Sequence, residues 1–178
     1  MPSPSPGATL VIANPAAAAG KVGSMLAKLG GVLEHHMGPV EIARTEAPGH
    51  ASTLAAEAVG RFGRVLALGG DGTLSEVVQG LMSAGPGDTE VGLLPAGTGG
   101  DFGRLLDGFD NIASAAAALA RSEAVPIDVG WARSIGTDGA AEEHHFINLL
   151  SFGMGGLVDR IVNESSKRFG GQASFLAG

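Results

Sequence analysis

The sequence contains no cysteine, few aromatic residues and a deficit of positive charge. The absence of cysteine excludes disulfide bonds, a thiolate nucleophile and a cysteine metal site, and it is compatible with a reducing cytoplasm. Aromatic residues are only 4% of the chain, which disfavours stacking platforms for single-stranded nucleic acid. A net charge of -7 argues against sequence-independent binding to nucleic acid. We therefore expect no nucleic-acid partner, and any anionic ligand must be held locally.

Long apolar runs are also missing, so no membrane-spanning segment is predicted. The first residues, MPSPSPG, lack the basic start and apolar stretch of a signal peptide. We interpret residues 1–8 as a disordered arm and expect a cytoplasmic protein. The 44% hydrophobic content over 178 residues predicts a globular chain with one domain and part of another.

Short apolar runs alternate with stretches of helical periodicity. The predicted strands are Thr9 to Ala13, Val40 to Ala43, Arg64 to Leu68 and Val91 to Leu94, and the helices between them are Lys21 to Leu33, Ala51 to Phe62 and Leu74 to Met82. This order predicts an α/β fold, a three-layer lobe with a largely parallel sheet covered on both faces. A further helix is predicted near Asn111 to Arg121, capped by Asp110 or Asn111.

The pattern changes after residue 124. VPIDVGWA and HHFINLLSF read as two antiparallel strands joined by the loop Ser134 to Glu143, and an amphipathic stretch follows at Leu157 to Phe169. The change predicts a domain boundary at residue 124, between an α/β region over residues 9–124 and an antiparallel region over residues 125–178.

Glycine is abundant, at 30 residues, and clusters where predicted strands end. The segment Gly69, Gly70, Asp71, Gly72, Thr73 offers free backbone N–H groups at a helix start, where a phosphate is favoured. Gly97, Thr98 and Asp101 repeat the same residue types after the next strand. Asp71 is suited to organise phosphate and to hold Mg²⁺ through water. A T-x-x-E capping box would explain Thr73 and Glu76 without any ligand, and both interpretations of Glu76 stay open.

Other established motifs do not fit. PAAAAGKV has Pro15 and Val22 where a P-loop needs glycine and Ser or Thr, and no G-x-G-x-x-G is present. The adjacent pairs His35-His36 and His144-His145 are poorly placed to share a metal. We interpret His50 as a helix-start residue more readily than as a base.

Several segments, in this order, resemble the diacylglycerol kinase catalytic-domain family of lipid kinases, which is related to NAD kinases. They are IANPAAAAGKV, TEAPGHA, ALGGDGTLSEVVQGL, LLPAGTGGDFGRLL, PIDVGWA and FINLLSFGMGG. The resemblance implies ATP and Mg²⁺ as cofactors and transfer of the ATP γ-phosphate to a lipid hydroxyl, such as that of diacylglycerol. It also implies two lobes: residues 9–124 as the nucleotide-binding lobe, and residues 125–178 as the first strands of an incomplete antiparallel β-sandwich lobe that takes the lipid substrate. It implies nucleotide contacts from Asn14, Thr45, Gly69, Gly70, Asp71, Gly72, Thr73 and Thr98, with Asp101 a weaker candidate.

Two features depart from the family pattern. Ser75 and Gly100 stand where the family usually has Asn. The family's catalytic acid lies in a later Asp-Gly-Glu-like motif, and the triplet at Asp138 is too early and lacks the glutamate. We therefore expect this chain alone to bind nucleotide weakly and to transfer little phosphate.

Two alternatives stay open beside the lipid kinase: a non-catalytic nucleotide-binding module and an NAD kinase-like enzyme. The lipid kinase hypothesis also allows peripheral contact with the inner membrane face. Unpaired strand edges in an incomplete sandwich would favour a homo-oligomer.

Overall fold

The computed structural model describes residues 7–96, 101–106, 109, 111–136 and 138–148. Met1–Ile147 form one compact unit, and a second unit comprises Asn148–Gly178, of which only Asn148 is described. Most of the predicted N-terminal arm, the end of the second hairpin segment and the predicted amphipathic stretch at Leu157 to Phe169 lie outside the described residues. The predicted domain boundary at residue 124 stays a prediction.

The described chain alternates strands and helices as the periodicity predicts. The elements are β1 Thr9–Ala13, α1 Lys21–Met37, β2 Val40–Arg44, α2 His50–Ala58, β3 Arg64–Gly69, α3 Asp71–Ala84, β4 Glu90–Pro95, a 3₁₀ turn Gly103–Leu105, α4 Ile112–Leu119, β5 Gly130–Ile135 and β6 Ala141–Phe146. The four predicted strands of the sheet are all present. The Asn111 cap of α4 is confirmed, because its side chain accepts the N–H of Ser114 and the Ser114 hydroxyl oxygen accepts the N–H of Asn111.

Strands β1 to β4 form a parallel sheet in the order β2-β1-β3-β4. The chain moves from β1 outward to β2, then crosses back over β1 to β3 and continues to β4. The direction of winding therefore reverses between the adjacent strands β1 and β3. In open parallel sheets this reversal opens a crevice at the carboxyl ends of the strands, where ligands bind.

Helices cover both faces of the sheet, which confirms the three-layer prediction. One buried cluster joins α2 and α3 to the sheet through side chains such as Ile12, Val65 and Leu93. The other joins α1 and α4 to the opposite face through side chains such as Val11, Leu66 and Leu94. Because alternate strand residues supply the two clusters, β1 and residues 65–69 of β3 are buried along their whole length.

Helices α2 and α3 pack unusually closely at one point. A Cβ on Gly80 of α3 would collide with the backbone carbonyl of Ser52 in α2. The absence of a side chain at residue 80 therefore lets the two backbones meet. This contact fixes α3, whose first turn lies at the crevice.

The start of α3 predicted from the sequence is three residues too late. The prediction began at Leu74, but the helix begins at Asp71, so the GGDGT segment is divided between the end of β3 and the first helical turn. An acidic residue is favoured in a first turn because it faces unpaired N–H groups. The capping-box interpretation of Thr73 and Glu76 is wrong, because Gly70 is the N-cap residue and Thr73 lies inside the helix.

Beyond the parallel sheet, β5 and β6 form an antiparallel hairpin, as predicted, with a shorter connection than expected. Val129 and Ile147, which flank the hairpin, pack against the cluster shared by α2 and α3. The hairpin thus lies on the α3 side of the sheet. Among the described residues, no helix has both the length and the apolar character needed to cross a membrane.

Candidate functional site: the carboxyl edge of the sheet

The ends of β1 and β3 meet at the carboxyl edge of the sheet. The N–H of Asn14, the first residue after β1, donates to the carbonyl of Leu68 in β3 at 3.0 Å. On the other side of β1, the N–H of Thr45 donates to the carbonyl of Ala13 at 2.9 Å. These backbone bonds extend the sheet register by one residue. They bring the loops after β1, β2 and β3 together at the crevice.

Asn14 connects two of these loops through its side chain. Its Nδ2 donates to Oγ1 of Thr73 at 3.2 Å, and its Oδ1 accepts the N–H of Ala16 at 3.0 Å. Thr73 is buried, with 5% of its surface exposed. The Asn14 amide is therefore oriented from both ends, and it fixes the first loop against the first turn of α3.

The first turn of α3 presents unpaired backbone donors. Gly70 has an extended backbone. The first hydrogen bond of the helix runs from the N–H of Leu74 to the carbonyl of Gly70, at 3.1 Å. Within the described part of the chain, the N–H groups of Asp71, Gly72 and Thr73 donate to no backbone carbonyl. Three N–H groups at the positive end of a helix dipole favour an anion at this point of a chain whose net charge is negative.

Two glycines shape this turn for different reasons. A Cβ on Gly69 would lie 2.7 Å from Cβ of Thr73, so glycine is required for the helix to start immediately after β3. A Cβ on Gly72 would meet no atom of the described residues within 4 Å. Packing among the described residues therefore does not account for glycine there, and it leaves space for a ligand.

Asp71 binds the segment that follows β4. Its Oδ2 accepts the N–H of Asp101 at 2.9 Å, and its Oδ1 accepts the N–H of Phe102 at 3.3 Å. Arg104 then donates to Oδ1 of Asp101 at 2.6 Å, in an ion pair that is about two-thirds exposed on both sides. Asp71 thus links the ends of β3 and β4, and its carboxylate is partly engaged by protein donors.

The loop after β1 contains a left-handed turn. Ala18 and Ala19 have φ angles of 53° and 57°, and Gly20 follows at 83°. Side chains cost about 1–2 kcal/mol per residue in this region, so the two alanines store backbone strain. The turn is closed by the N–H of Gly20, which donates to the carbonyls of Ala16 and Ala17 at 3.2 Å.

A cavity of about 360 Å³ adjoins the first turn of α3 on the β2 side. Asn14, Thr45, Thr73 and Glu76 all line it, together with the loop that leads into α2. Oε2 of Glu76 accepts the N–H of Ala51 at 3.2 Å, so Glu76 anchors the start of α2 to α3. This bond, and not a capping box, is the structural role of Glu76.

The structure brings together most of the residues singled out in the sequence. Asn14, Thr45, Gly69, Gly70, Asp71, Gly72, Thr73, Glu76 and Asp101 lie at the carboxyl edge of the sheet or just beyond it. Gly97 and Thr98 lie outside the described residues. His50 begins α2, as expected, and its Nδ1 accepts the N–H of Glu46 at 3.1 Å.

The sequence did not reveal the backbone donors at Ala51 and Phe102. A main-chain N–H carries no residue-specific signal, so neither partner of Glu76 or Asp71 was predictable from residue type. Glu46, which lines the cavity, was also missed. Its position directly after Thr45, a residue already singled out, could have identified Glu46 as a candidate.

Magnesium would have to be held by few protein ligands. Among the described residues, no group of three or more His, Asp or Glu side chains could hold a metal ion. Mg²⁺ commonly binds one or two carboxylates together with waters and substrate phosphates. Asp71 suits such a site, since each of its oxygens accepts one N–H from the described residues and keeps capacity for a metal-bound water.

Residues 8–132 match the family model of the diacylglycerol kinase catalytic domain. The chain belongs to this family. A YegS-like lipid kinase of Pseudomonas aeruginosa (strain UCBPP-PA14) is 36% identical over 115 residues, which cover 65% of this chain and 34% of the relative. A diacylglycerol kinase of Staphylococcus saprophyticus is 34% identical over 125 residues, 70% of this chain and 37% of the relative.

Solved structures of the family share the fold. A crystal structure of a diacylglycerol kinase from Bacillus anthracis str. Sterne matches with a TM-score of 0.62 and 29% identity, covering 79% of this chain and 48% of that chain. The chain thus spans about a third of the length of the curated relatives it matches and about half of the solved structures. The match to the family includes the whole parallel sheet and its carboxyl edge.

Proposed function

We propose that this chain supplies the nucleotide-binding lobe of a lipid kinase that transfers the γ-phosphate of ATP to a lipid hydroxyl, such as that of diacylglycerol. The observation that carries the proposal is the first turn of α3. Unpaired N–H groups, the Asn14–Thr73 bond and the Asp71 carboxylate converge there, at the winding reversal of the sheet. Membership of a kinase family implies ATP as the phosphoryl donor.

The N–H groups of Asp71, Gly72 and Thr73 would bind phosphate oxygens. Each charge-assisted hydrogen bond contributes about 1.5–3 kcal/mol, so three contribute about 5–9 kcal/mol against association costs of about 4–15 kcal/mol. One turn is therefore insufficient for tight binding. The loops held beside it by Asn14 and Asp71 must add contacts, which is why the bonds between loops matter for affinity.

Asp71 has two roles in this proposal. It holds the segment after β4 through the N–H groups of Asp101 and Phe102, and it faces the site with negative charge. Bound Mg²⁺ would neutralise phosphate charge, and Asp71 would hold it through water. Without the metal, the same carboxylate would repel a phosphate, so nucleotide affinity should depend on Mg²⁺.

The cavity beside Thr45 and Glu76 accommodates the rest of the nucleotide. Its lining combines polar side chains with Ala47, Pro48 and Ala51. Positioning and charge neutralisation provide most of the catalysis in phosphoryl transfer, so a rigid cradle of this kind is suited to it. The group that activates the acceptor hydroxyl is not assigned to any described residue.

Calorimetric titration of the chain with ATP, AMP and adenosine, each with and without Mg²⁺, tests the nucleotide part of the proposal. We expect affinity to increase with the number of phosphates and with Mg²⁺. Equal affinity for adenosine and ATP would contradict a phosphate site at α3. No binding of any of the three would contradict the nucleotide-binding lobe altogether.

The acceptor is tested separately, by incubating the protein with γ-labelled ATP and either diacylglycerol micelles or NAD. Label in the lipid supports the proposed reaction. Label in NAD without label in any lipid would favour the NAD kinase-like alternative. Because this chain alone is expected to transfer little phosphate, binding of ATP without transfer is the expected result for a separate nucleotide-binding lobe, and any label that does appear identifies the acceptor.

A further inference from the structure

Helix α3 contacts the hairpin through Gln79. Oε1 of Gln79 accepts the backbone N–H of His145 in β6 at 2.8 Å. The ring Nδ1 of His145 lies 3.3 Å from the same oxygen. One amide oxygen thus faces both the backbone and the ring of a single strand residue.

The backbone bond uses a donor that the hairpin cannot satisfy. Among the described residues, β6 pairs only with β5, and the N–H of His145 points away from that partner toward Gln79. Alternate N–H groups of a two-stranded hairpin point outward in this way. Gln79 therefore completes the outer edge of β6 with a side chain.

The Gln79 amide is oriented on its own helix as well. Its Nε2 lies 3.2 Å from Oγ of Ser83, whose hydroxyl donates to the Gln79 carbonyl at 2.7 Å. The neighbouring residue, Gly80, lies against α2 without a side chain between them. Both the backbone of α3 and the Gln79 side chain are therefore held in place where the helix contacts β6.

Asp71 and Gln79 lie in parts of α3 that have different proposed roles. Asp71 and Gln79 are separated by eight residues on one helix, about 12 Å at 1.5 Å per residue. The first turn of α3 is the proposed phosphate site. The hairpin lies in residues 125–178, the region that the family resemblance assigns to the lobe for the lipid substrate.

We propose that Gln79 is a positioning residue, which fixes the hairpin β5–β6 relative to the phosphate-binding end of α3. The proposal rests on the proposed function for the meaning of that position, but the contact can be tested independently. Gln79 is not among the residues proposed here to contact the nucleotide. It acts by holding β6, and with it the flanking residues Val129 and Ile147, against the α2–α3 face.

Hydrogen exchange of the full chain, combined with calorimetric titration of Mg²⁺ and ATP, tests this role. In Gln79→Leu, we expect backbone amides of residues 141–146 to exchange about five to ten times faster, because one hydrogen bond to the hairpin is lost. Gln79→Glu keeps an acceptor for the His145 N–H and should restore slow exchange. In both variants the affinity for ATP should stay within about twofold of the starting protein.

The outcomes separate the two proposals. Unchanged exchange of 141–146 in Gln79→Leu overturns the positioning role. Equally fast exchange in Gln79→Glu and Gln79→Leu also overturns it, because the acceptor would not be the cause. Failure of the unsubstituted chain to bind ATP contradicts the proposed function but leaves the exchange comparison, and therefore the role of Gln79 in holding the hairpin, intact.

Ser83→Ala is the matched control on the same helix. It removes the partner of Nε2 while leaving Oε1 of Gln79 able to accept from His145. We expect exchange in 141–146 to change less than in Gln79→Leu. A larger increase in Ser83→Ala would indicate that general loosening of the end of α3 controls the hairpin, and it would overturn the specific role of the Gln79 acceptor.

Discussion

The carboxylate of Asp71 accepts the backbone N–H of Asp101 at 2.9 Å, across 30 residues of sequence. One acid thus begins α3 and also holds the segment that follows the neighbouring strand. The sequence motifs at both strand ends are therefore parts of one hydrogen-bonded unit. Loss of this carboxylate should affect both the shape of the site and its charge.

Asp71→Asn should weaken binding of Mg²⁺ and ATP by about tenfold or more. The amide retains one oxygen acceptor but loses the negative charge and the second acceptor, and a single charge-assisted bond is worth about 1.5–3 kcal/mol. Calorimetric titration with ATP at fixed Mg²⁺ measures the change. Because the carboxylate also repels phosphate, the loss should be smaller when Mg²⁺ is omitted.

Asp88→Asn is the matched control for Asp71→Asn. Asp88 is exposed in the connection between α3 and β4, at the amino edge of the sheet. It removes the same charge far from the site, and we expect ATP affinity to stay within about twofold. Equal losses in the two variants would show that net charge, and not the position of Asp71, determines affinity.

Much of the fold was predictable because its signals are local. The run Thr9 to Ala13 was predicted with its observed bounds, and residue type alone limited the cap of α4 to Asp110 or Asn111, of which Asn111 is the cap. Continuous apolar strands indicated a sheet covered on both faces, since each face needs its own buried side chains. The carboxyl-edge location of the site then followed from the parallel arrangement.

Other features depend on contacts between distant residues. The role of Glu76 was left open because its partner is the backbone N–H of Ala51, 25 residues away. The start of α3 was misplaced because Asp71 and Gly72 are weak helix formers in isolation. Tertiary contacts to Asp101 and Phe102 stabilise the helical position of Asp71 instead.

Asn14→Asp should reduce ATP affinity with little change in stability. Oδ1 could still accept the N–H of Ala16, but the donor to Thr73 is lost and a negative charge is added beside the proposed phosphate site. We expect a loss of about tenfold in affinity and a change below about 1.5 kcal/mol in the free energy of unfolding. Titration with ATP and urea denaturation measure the two quantities.

The companion variant for Asn14 is Thr73→Val, which removes the same hydrogen bond without adding charge. It keeps the shape of a buried side chain and leaves the Thr73 N–H in place. Its ATP affinity should lie between those of the original protein and Asn14→Asp. If Thr73→Val weakened binding as much as Asn14→Asp, the added charge would have no effect, and a phosphate near Asn14 would be contradicted.

Gly80→Ala should destabilise the fold by separating α2 from α3. A Cβ at residue 80 would collide with backbone at Ser52, which cannot move aside as a side chain could. Overpacking of this kind costs typically about 1–3 kcal/mol, although alanine alone would favour the helix by about 1 kcal/mol. Urea denaturation should show a lower midpoint, and an unchanged or higher midpoint would contradict the close approach of the two helices.

Gly72→Ala should weaken ATP binding while leaving the fold as stable or more stable. The added Cβ meets no described atom within 4 Å. The substitution therefore gains up to about 1 kcal/mol of helix propensity but fills space beside the first-turn N–H groups. Gly31→Ala in α1 is the matched control, because its Cβ is equally unobstructed. We expect both to raise the urea midpoint and only Gly72→Ala to reduce ATP affinity, by about tenfold for a displaced phosphate contact.

Gly69→Ala, which clashes with Thr73, should instead lower both stability and affinity. Unimpaired ATP binding by Gly72→Ala would place the phosphates away from α3 and contradict the proposed site.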